Sequence, residues 1–141
     1  MAKAPVERSV QPDGTVRLHS GRCSFTFSRP RRGAVLVRIT GFDSGALGSA
    51  PLAELAVFMA EEREPELFVD SSEADGASWD VSEKWTRFFR RNASVLKRVH
   101  ILALSKFVHQ TISVAKLFSR TGELIQVYSS VEVFRDRLRN P

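Results

Sequence analysis

Pro65–Trp85 reads PELFVDSSEADGASWDVSEKW, and the fold turns on how that stretch is read. Leu67, Phe68 and Val69 form a short apolar run that stops at Asp70. A polar stretch containing Gly76 follows. Asp80 and Glu83 then stand at the spacing of a reciprocal helix N-cap, in which each side chain satisfies a backbone N–H of the first turn. Behind them Val81, Trp85, Phe88, Phe89 and Leu96 recur at helical intervals and give one broad apolar face. The stretch predicts a buried strand, a loop after Asp70 and a helix that opens at Asp80. Open α/β sheets place their ligands at such strand-to-helix crossings.

Upstream, residues 1–14 hold Pro5, Pro12 and Gly14 with few apolar groups, which predicts a flexible lead-in. Thr15–His19 and Cys23–Ser28 alternate as strands do, and Ala34–Thr40 is a nearly continuous apolar strand ended by Gly41. Arg29–Gly33, with Pro30 and Gly33, is the turn that joins the latter two as a β-hairpin. Gly41–Ser49 is a loop. Pro51 suits the first turn of a helix with Leu52, Leu55, Ala56 and Met59 on one side, and Pro65 blocks its continuation. Downstream, Val99–Leu104 is a second buried strand. Ser105 caps a helix with Val108, Thr111, Ile112, Ala115 and Phe118 on one face, and Gly122 closes it. Leu124–Tyr128 is a last strand, and Ser129 with Glu132 opens a short helix that turns Val131, Phe134 and Leu138 inward. A hairpin followed by alternating helices and strands makes the later strands parallel. The expectation is one small mixed-sheet α/β domain over residues 15–141.

At 141 residues, with 43% apolar and 26% charged side chains, the chain has the size and make-up of a single globular domain. No apolar run approaches the roughly 20 residues of a membrane span. Met1–Val10 lacks the apolar core of a secretory signal. Cys23 is the only cysteine; it excludes an internal disulfide and fits a reducing compartment, so a cytoplasmic location is expected. The net charge of +5 is spread over Arg29/Arg31/Arg32, Arg87/Arg90/Arg91 with Lys97/Arg98, and Arg135/Arg137/Arg139. Without a dense basic tract, nucleic acid is not the expected partner.

The order of elements, carried by Leu67–Ser72, Gly76–Trp85, Arg98–Leu104 and Leu124–Leu138, resembles the STAS domain of anti-sigma-factor antagonists, the SpoIIAA-like fold, over about residues 15–139. It is most similar to the STAS/SEC14-like bacterial branch. The resemblance implies a non-enzymatic regulatory module that docks a protein partner. In phosphoswitch members an Asp-Ser-Ser-Gly-like motif opens the second helix, and a partner kinase phosphorylates its serine. Here Asp70-Ser71-Ser72 lies at the strand end instead, and Trp79 and Asp80 fall near the phosphorylatable position, with Ser78 just before and Ser82 just after. The motif is absent there. A phosphorylation-controlled switch is the weaker alternative, with Ser72 and Ser78 as its candidate sites. The SEC14-like side implies another alternative, a carrier or sensor of an apolar, lipid-like molecule, with a pocket near Phe42, Trp79 and Trp85.

The candidate ligand- or partner-binding residues are therefore Asp70, Ser71, Ser72, Ser78, Trp79, Asp80 and Phe42. Serines at a helix N-terminus could help hold an anion, but turn and cap chemistry selects the same residues. Asp70, Glu73, Asp75 and Asp80 would repel an anion, and they lack the ligand spacing of a calcium loop. Gly41, Gly45 and Gly48 match neither the dinucleotide fingerprint nor the lysine-bearing phosphate loop. His19, His100 and His109 show no metal-ligand spacing, and nothing pairs with Cys23 or a serine as an activating base. An acid–base enzyme would have only Asp70 or Asp80 to use. No catalytic residue, metal or cofactor is assigned. The edge strand of the opening hairpin offers a contact for a homodimer.

Overall fold

The computed structural model describes residues 5–106, 108 and 123–140. Glu7–Val10 (β1), Val16–Ser20 (β2), Cys23–Ser28 (β3), Ala34–Asp43 (β4), Glu66–Ala77 (β5), Arg98–Leu102 (β6) and Ile125–Tyr128 (β7) form a seven-stranded sheet whose spatial order follows the chain. The first four strands pair antiparallel and β4 to β7 pair parallel. The helices are Ala50–Ala60 (α1), Trp79–Asn92 (α2) and Val131–Arg139 (α3). This is the expected mixed-sheet α/β domain. The helix expected after Ser105 lies outside the described residues, as do Thr111, Ile112, Ala115, Phe118, Gly122 and His109; at its start, Val108 N–H donates to Ser105 Oγ (3.4 Å).

Alternation sorts side chains onto two sheet faces. On one face Phe25, Phe27, Val35, Val37, Leu67, Val69, Val99 and Ile101 meet Leu55, Phe58 and Met59 of α1 and Phe88 and Phe89 of α2. On the other, Phe134 of α3 packs with Ala34, Phe68 and Leu102. Covering both faces is what lets Leu67–Val69 of β5 be a continuous apolar run.

Several local expectations need correction. Residues 7–10, read as loose lead-in, are an edge strand; both of its faces are exposed, so burial imposes no alternation on the sequence. β4 does not stop at Gly41 but runs on to Asp43. Gly41 has φ +78°, and a Cβ there would lie 2.2 Å from the Arg22 carbonyl oxygen, so glycine lets the strand slide past the β2–β3 turn. The supposed loop after Asp70 is strand as well. β6 ends opposite Asp70, so the last residues of β5 have β4 alone as partner and can be polar. An irregularity in the β4–β5 register follows Asp70. There Asp70 Oδ1 accepts from the Ser72 N–H (3.0 Å) and hydroxyl (2.6 Å). The N-cap of α2 is Ser78, whose Oγ accepts from Val81 N–H, and Asp80 sits in the first turn. The cap of α3 is Ser130 rather than Ser129; its Oγ accepts from Val133 N–H.

Candidate functional site

The sequence-predicted residues divide into two groups separated by the extended end of β5, at about 3.3 Å per residue. Asp70, Ser71 and Ser72 lie where β6 stops. Asp70 ion-pairs with Arg38 of β4 (Nε–Oδ2 3.3 Å) besides holding Ser72. Ser71 is buried and donates its hydroxyl to the Leu102 carbonyl. These three residues are occupied in joining β4, β5 and β6.

Ser78, Trp79, Asp80 and Phe42 form the second group. Ser78 N–H donates to the Asp43 carbonyl (2.9 Å), which ties the start of α2 to the end of β4. Phe42 and Trp79 therefore stand on one rim, and both face solvent, with 48% and 66% of their surfaces exposed. Asp80 is exposed beside them. Lone exposed apolar residues are ordinary on protein surfaces. Here two large exposed aromatic residues each adjoin a residue of the Ser78–Asp43 backbone bond.

Beneath this rim, on the α1/α2 face, is an apolar cleft of about 100 Å³ whose walls include Phe25, Ile39, Val69, Val81, Trp85 and Phe89. Trp85 stands in it as expected, whereas Phe42 and Trp79 are not among its walls. Its polar members include Ser71, Ser82 and Asp43. Both serines are satisfied: Ser71 by Leu102, and Ser82 by donating its hydroxyl to the Ser78 carbonyl (3.1 Å). Asp43 differs. It is 6% exposed, and its Oδ1 accepts one N–H, from Gly45 (3.0 Å). Burial pushes its carboxyl above the ordinary range, against the opposing pull of the Gly45 N–H and of Lys84. Sequence reading missed it because GFDSG looks like a loop. Once β4 is extended to residue 43, an acid at a buried strand position is the signal.

A polar cluster occupies the opposite face. His100, 1% exposed, has Nε2 2.7 Å from Glu66 Oε2 and Nδ1 2.7 Å from the Tyr128 hydroxyl, and its ring stacks on Phe68 with centroids 4.3 Å apart. Arg31 reaches Glu66 (3.3 Å) and donates from Nε to the Leu138 carbonyl of α3 (2.7 Å). Burial, then Arg137 and Arg98, hold the imidazole below its ordinary pKa despite Glu66. His100 and Arg31 hold Glu66 down against its own partial burial. A neutral ring donates from Nε2 to Glu66 and leaves Nδ1 as an acceptor beside the Tyr128 hydroxyl, which also reaches Gln126 Oε1 (3.0 Å), and this fits a structural histidine. Among the described residues no group of three His, Cys, Asp or Glu side chains converges as a metal site. Cys23 is buried, and its thiol is pushed up to about 12 by burial and the Asp43 charge.

The sheet order, its covering helices and the rim at the start of α2 define the SpoIIAA-like, or STAS, fold. The unphosphorylated form of the anti-sigma factor antagonist SpoIIAA is similar over 83% of this chain and 97% of its own, at 16% identity and a TM-score of 0.61. An anti-sigma factor antagonist from Mycobacterium paratuberculosis matches 94% of this chain and all of its own (100%), at 13% identity and a TM-score of 0.59. The phosphorylated form of SpoIIAA from Bacillus covers 82% of this chain and 99% of its own, at 18% identity and a TM-score of 0.57. No protein-family model and no curated protein matches the sequence. Among the described residues no helix is long and apolar enough to cross a membrane.

Proposed function

We propose that this chain is a non-enzymatic regulatory module that docks a protein partner through the rim where β4 ends and α2 begins. The observation that carries the reading is Trp79, two-thirds exposed at the start of α2, with exposed Phe42 on the strand end joined to it by the Ser78–Asp43 backbone bond. Tryptophan supplies a large apolar contact with one polar handle, and it is enriched at protein-binding hot spots. Two of the similar structures are, by name, antagonists of another protein, which supports a partner of that kind. Asp70 is engaged by Arg38 and Ser72, and His100 is sealed inside the opposite face, which supports a role without catalysis. A photo-crosslinking amino acid placed at position 79 in the native host tests the reading. A discrete adduct with one protein is expected from position 79 and not from position 17, an exposed site on β2. Equal labelling from both positions overturns the docking rim.

The apolar cleft under α2 favours a second reading, in which a small molecule binds there. Its volume is well below the roughly 300 Å³ at which drug-sized pockets begin, which supports a small occupant over a whole lipid. The weaker phosphoswitch reading draws on the phosphorylated form among the similar structures. Ser78 is its better-placed candidate, at the positive end of the α2 dipole. A phosphate on Ser72 would face Asp70 and Glu73. Incubation with host lysate and ATP followed by phosphopeptide mapping decides it: an unmodified Ser71–Ser82 peptide ends that reading.

A further inference from the structure

We propose that the cleft between α2 and the sheet binds a small amphiphile with one ring-sized apolar body and one ammonium head, the head received by the carboxylate of Asp43. The inference rests on the second reading above, that the cleft admits a small molecule, and it names the chemistry of that molecule.

The size of the cleft limits the body: at about 100 Å³ its enclosed part falls short of the roughly 150 Å³ apolar cavity that accepts benzene, so it takes no more than one ring, with that ring's edge toward the opening. Half-buried Ala74, Ala77, Ser82 and Trp85 line it where it nears solvent, leaving a way in for a ring. The head follows from the polar inventory. Ser71 and Ser82 have spent their hydroxyl protons on carbonyls. Asp43 is more than nine-tenths buried, and among the described residues its Oδ2 has no hydrogen-bond partner. An ionised carboxylate can only accept, with room for about four hydrogen bonds, so its complement must donate. Lys84 is near enough to pull on the carboxyl but makes no ion pair with it. The walls favour a cation as well, since Phe25, Trp85 and Phe89 present aromatic rings, whose faces attract ammonium groups.

Benzylamine, benzyl alcohol and toluene share a ring and differ in the head. Their titration into the full chain, followed by Trp85 fluorescence and by amide chemical shifts of residues 43–45 and 74–82, tests the assignment. Benzylamine is expected to bind at least tenfold tighter than benzyl alcohol. Asp43→Asn keeps an acceptor for Gly45 N–H and should remove that preference while leaving toluene binding within twofold. Ala77→Leu, which fills the cleft from the β5 side, should weaken all three probes. Equal affinity for the three probes overturns the ammonium assignment and leaves the small-molecule reading standing. Absence of any saturable shift overturns both. Should Asp43→Asn fail to fold, the ranking of the three probes on the wild-type protein decides alone.

Discussion

Replacing His100 by phenylalanine keeps the aromatic stack on Phe68 and removes both ring nitrogens. The lost bonds are the contact with Glu66, charge-assisted, and the one with Tyr128, each 2.7 Å long. A hydrogen bond to a charged group is worth about 1.5–3 kcal/mol and a neutral one about 0.5–1.5 kcal/mol. Glu66 keeps Arg31, and Tyr128 keeps its contact with Gln126 (3.0 Å), so neither is left bare. The expected cost is about 2–4 kcal/mol, a fall in Tm of roughly 5–15 °C for a chain of this length. The pH dependence carries the sharper test. Burial lowers the His100 pKa from its ordinary value near 6.5, so the unfolded chain binds more protons, and wild-type stability erodes as pH falls below about 6.5. The lowered Glu66 carboxyl adds a second loss as pH falls below its ordinary value near 4.5. The variant lacks the histidine contribution. Urea unfolding of both proteins should therefore show a stability gap that is wider at pH 7.5 than at pH 5.5. A gap that widens on acidification would mean that the ring gains a proton on folding, and would refute the neutral imidazole. A Tm change under 2 °C would refute the energetic reading of the cluster.

Other perturbations probe the remaining parts. Gly41→Ala should cost at least about 2 kcal/mol, from the left-handed backbone and the clash with the Arg22 carbonyl, and should melt well below Gly14→Ala, whose Cβ meets nothing within 4 Å; equal melting points would contradict the close approach. Cys23, with its thiol pushed up to about 12, should resist alkylation at pH 8 in the folded protein and react once unfolded in urea. Rapid labelling of native protein would place it elsewhere. Ser78→Ala should lower stability by about 1 kcal/mol through loss of the α2 cap, measured by chemical denaturation, whereas Asp80→Ala should change it by less. The reverse order would restore Asp80 as the cap.

The alternation of Cys23–Ser28, the continuous apolar run Ala34–Val37 and the helical stripe from Val81 to Phe89 were enough to read the architecture, because burial leaves a period or an unbroken apolar run in the sequence. What stayed hidden follows from weak burial. Glu7–Val10 is exposed on both faces, and its side-chain contacts, Glu7 with His19 (3.4 Å) and Arg8 with Glu54 (2.7 Å), are polar ones that leave no apolar period in the sequence. The end of β5 is polar because it lacks a neighbour on one side, so its serines and acids imitate a loop. Phe42 and Trp79 were legible as candidate binding residues, but the pocket expected near them is lined by Trp85 and not by either of the two. Asp43 was not legible, because its burial depends on β4 continuing through Gly41, a backbone feature that composition does not encode. His100 was readable as structural from its place in an apolar strand. Its partners Glu66 and Tyr128 emerge only from the register of β5, β6 and β7.

The docking rim is tested most directly by the affinity of wild-type and Trp79→Ala protein for the partner crosslinked at position 79, measured by isothermal titration calorimetry. A rim that binds through the exposed indole predicts at least tenfold weaker binding at an unchanged melting temperature. Equal affinity for the two proteins would contradict it.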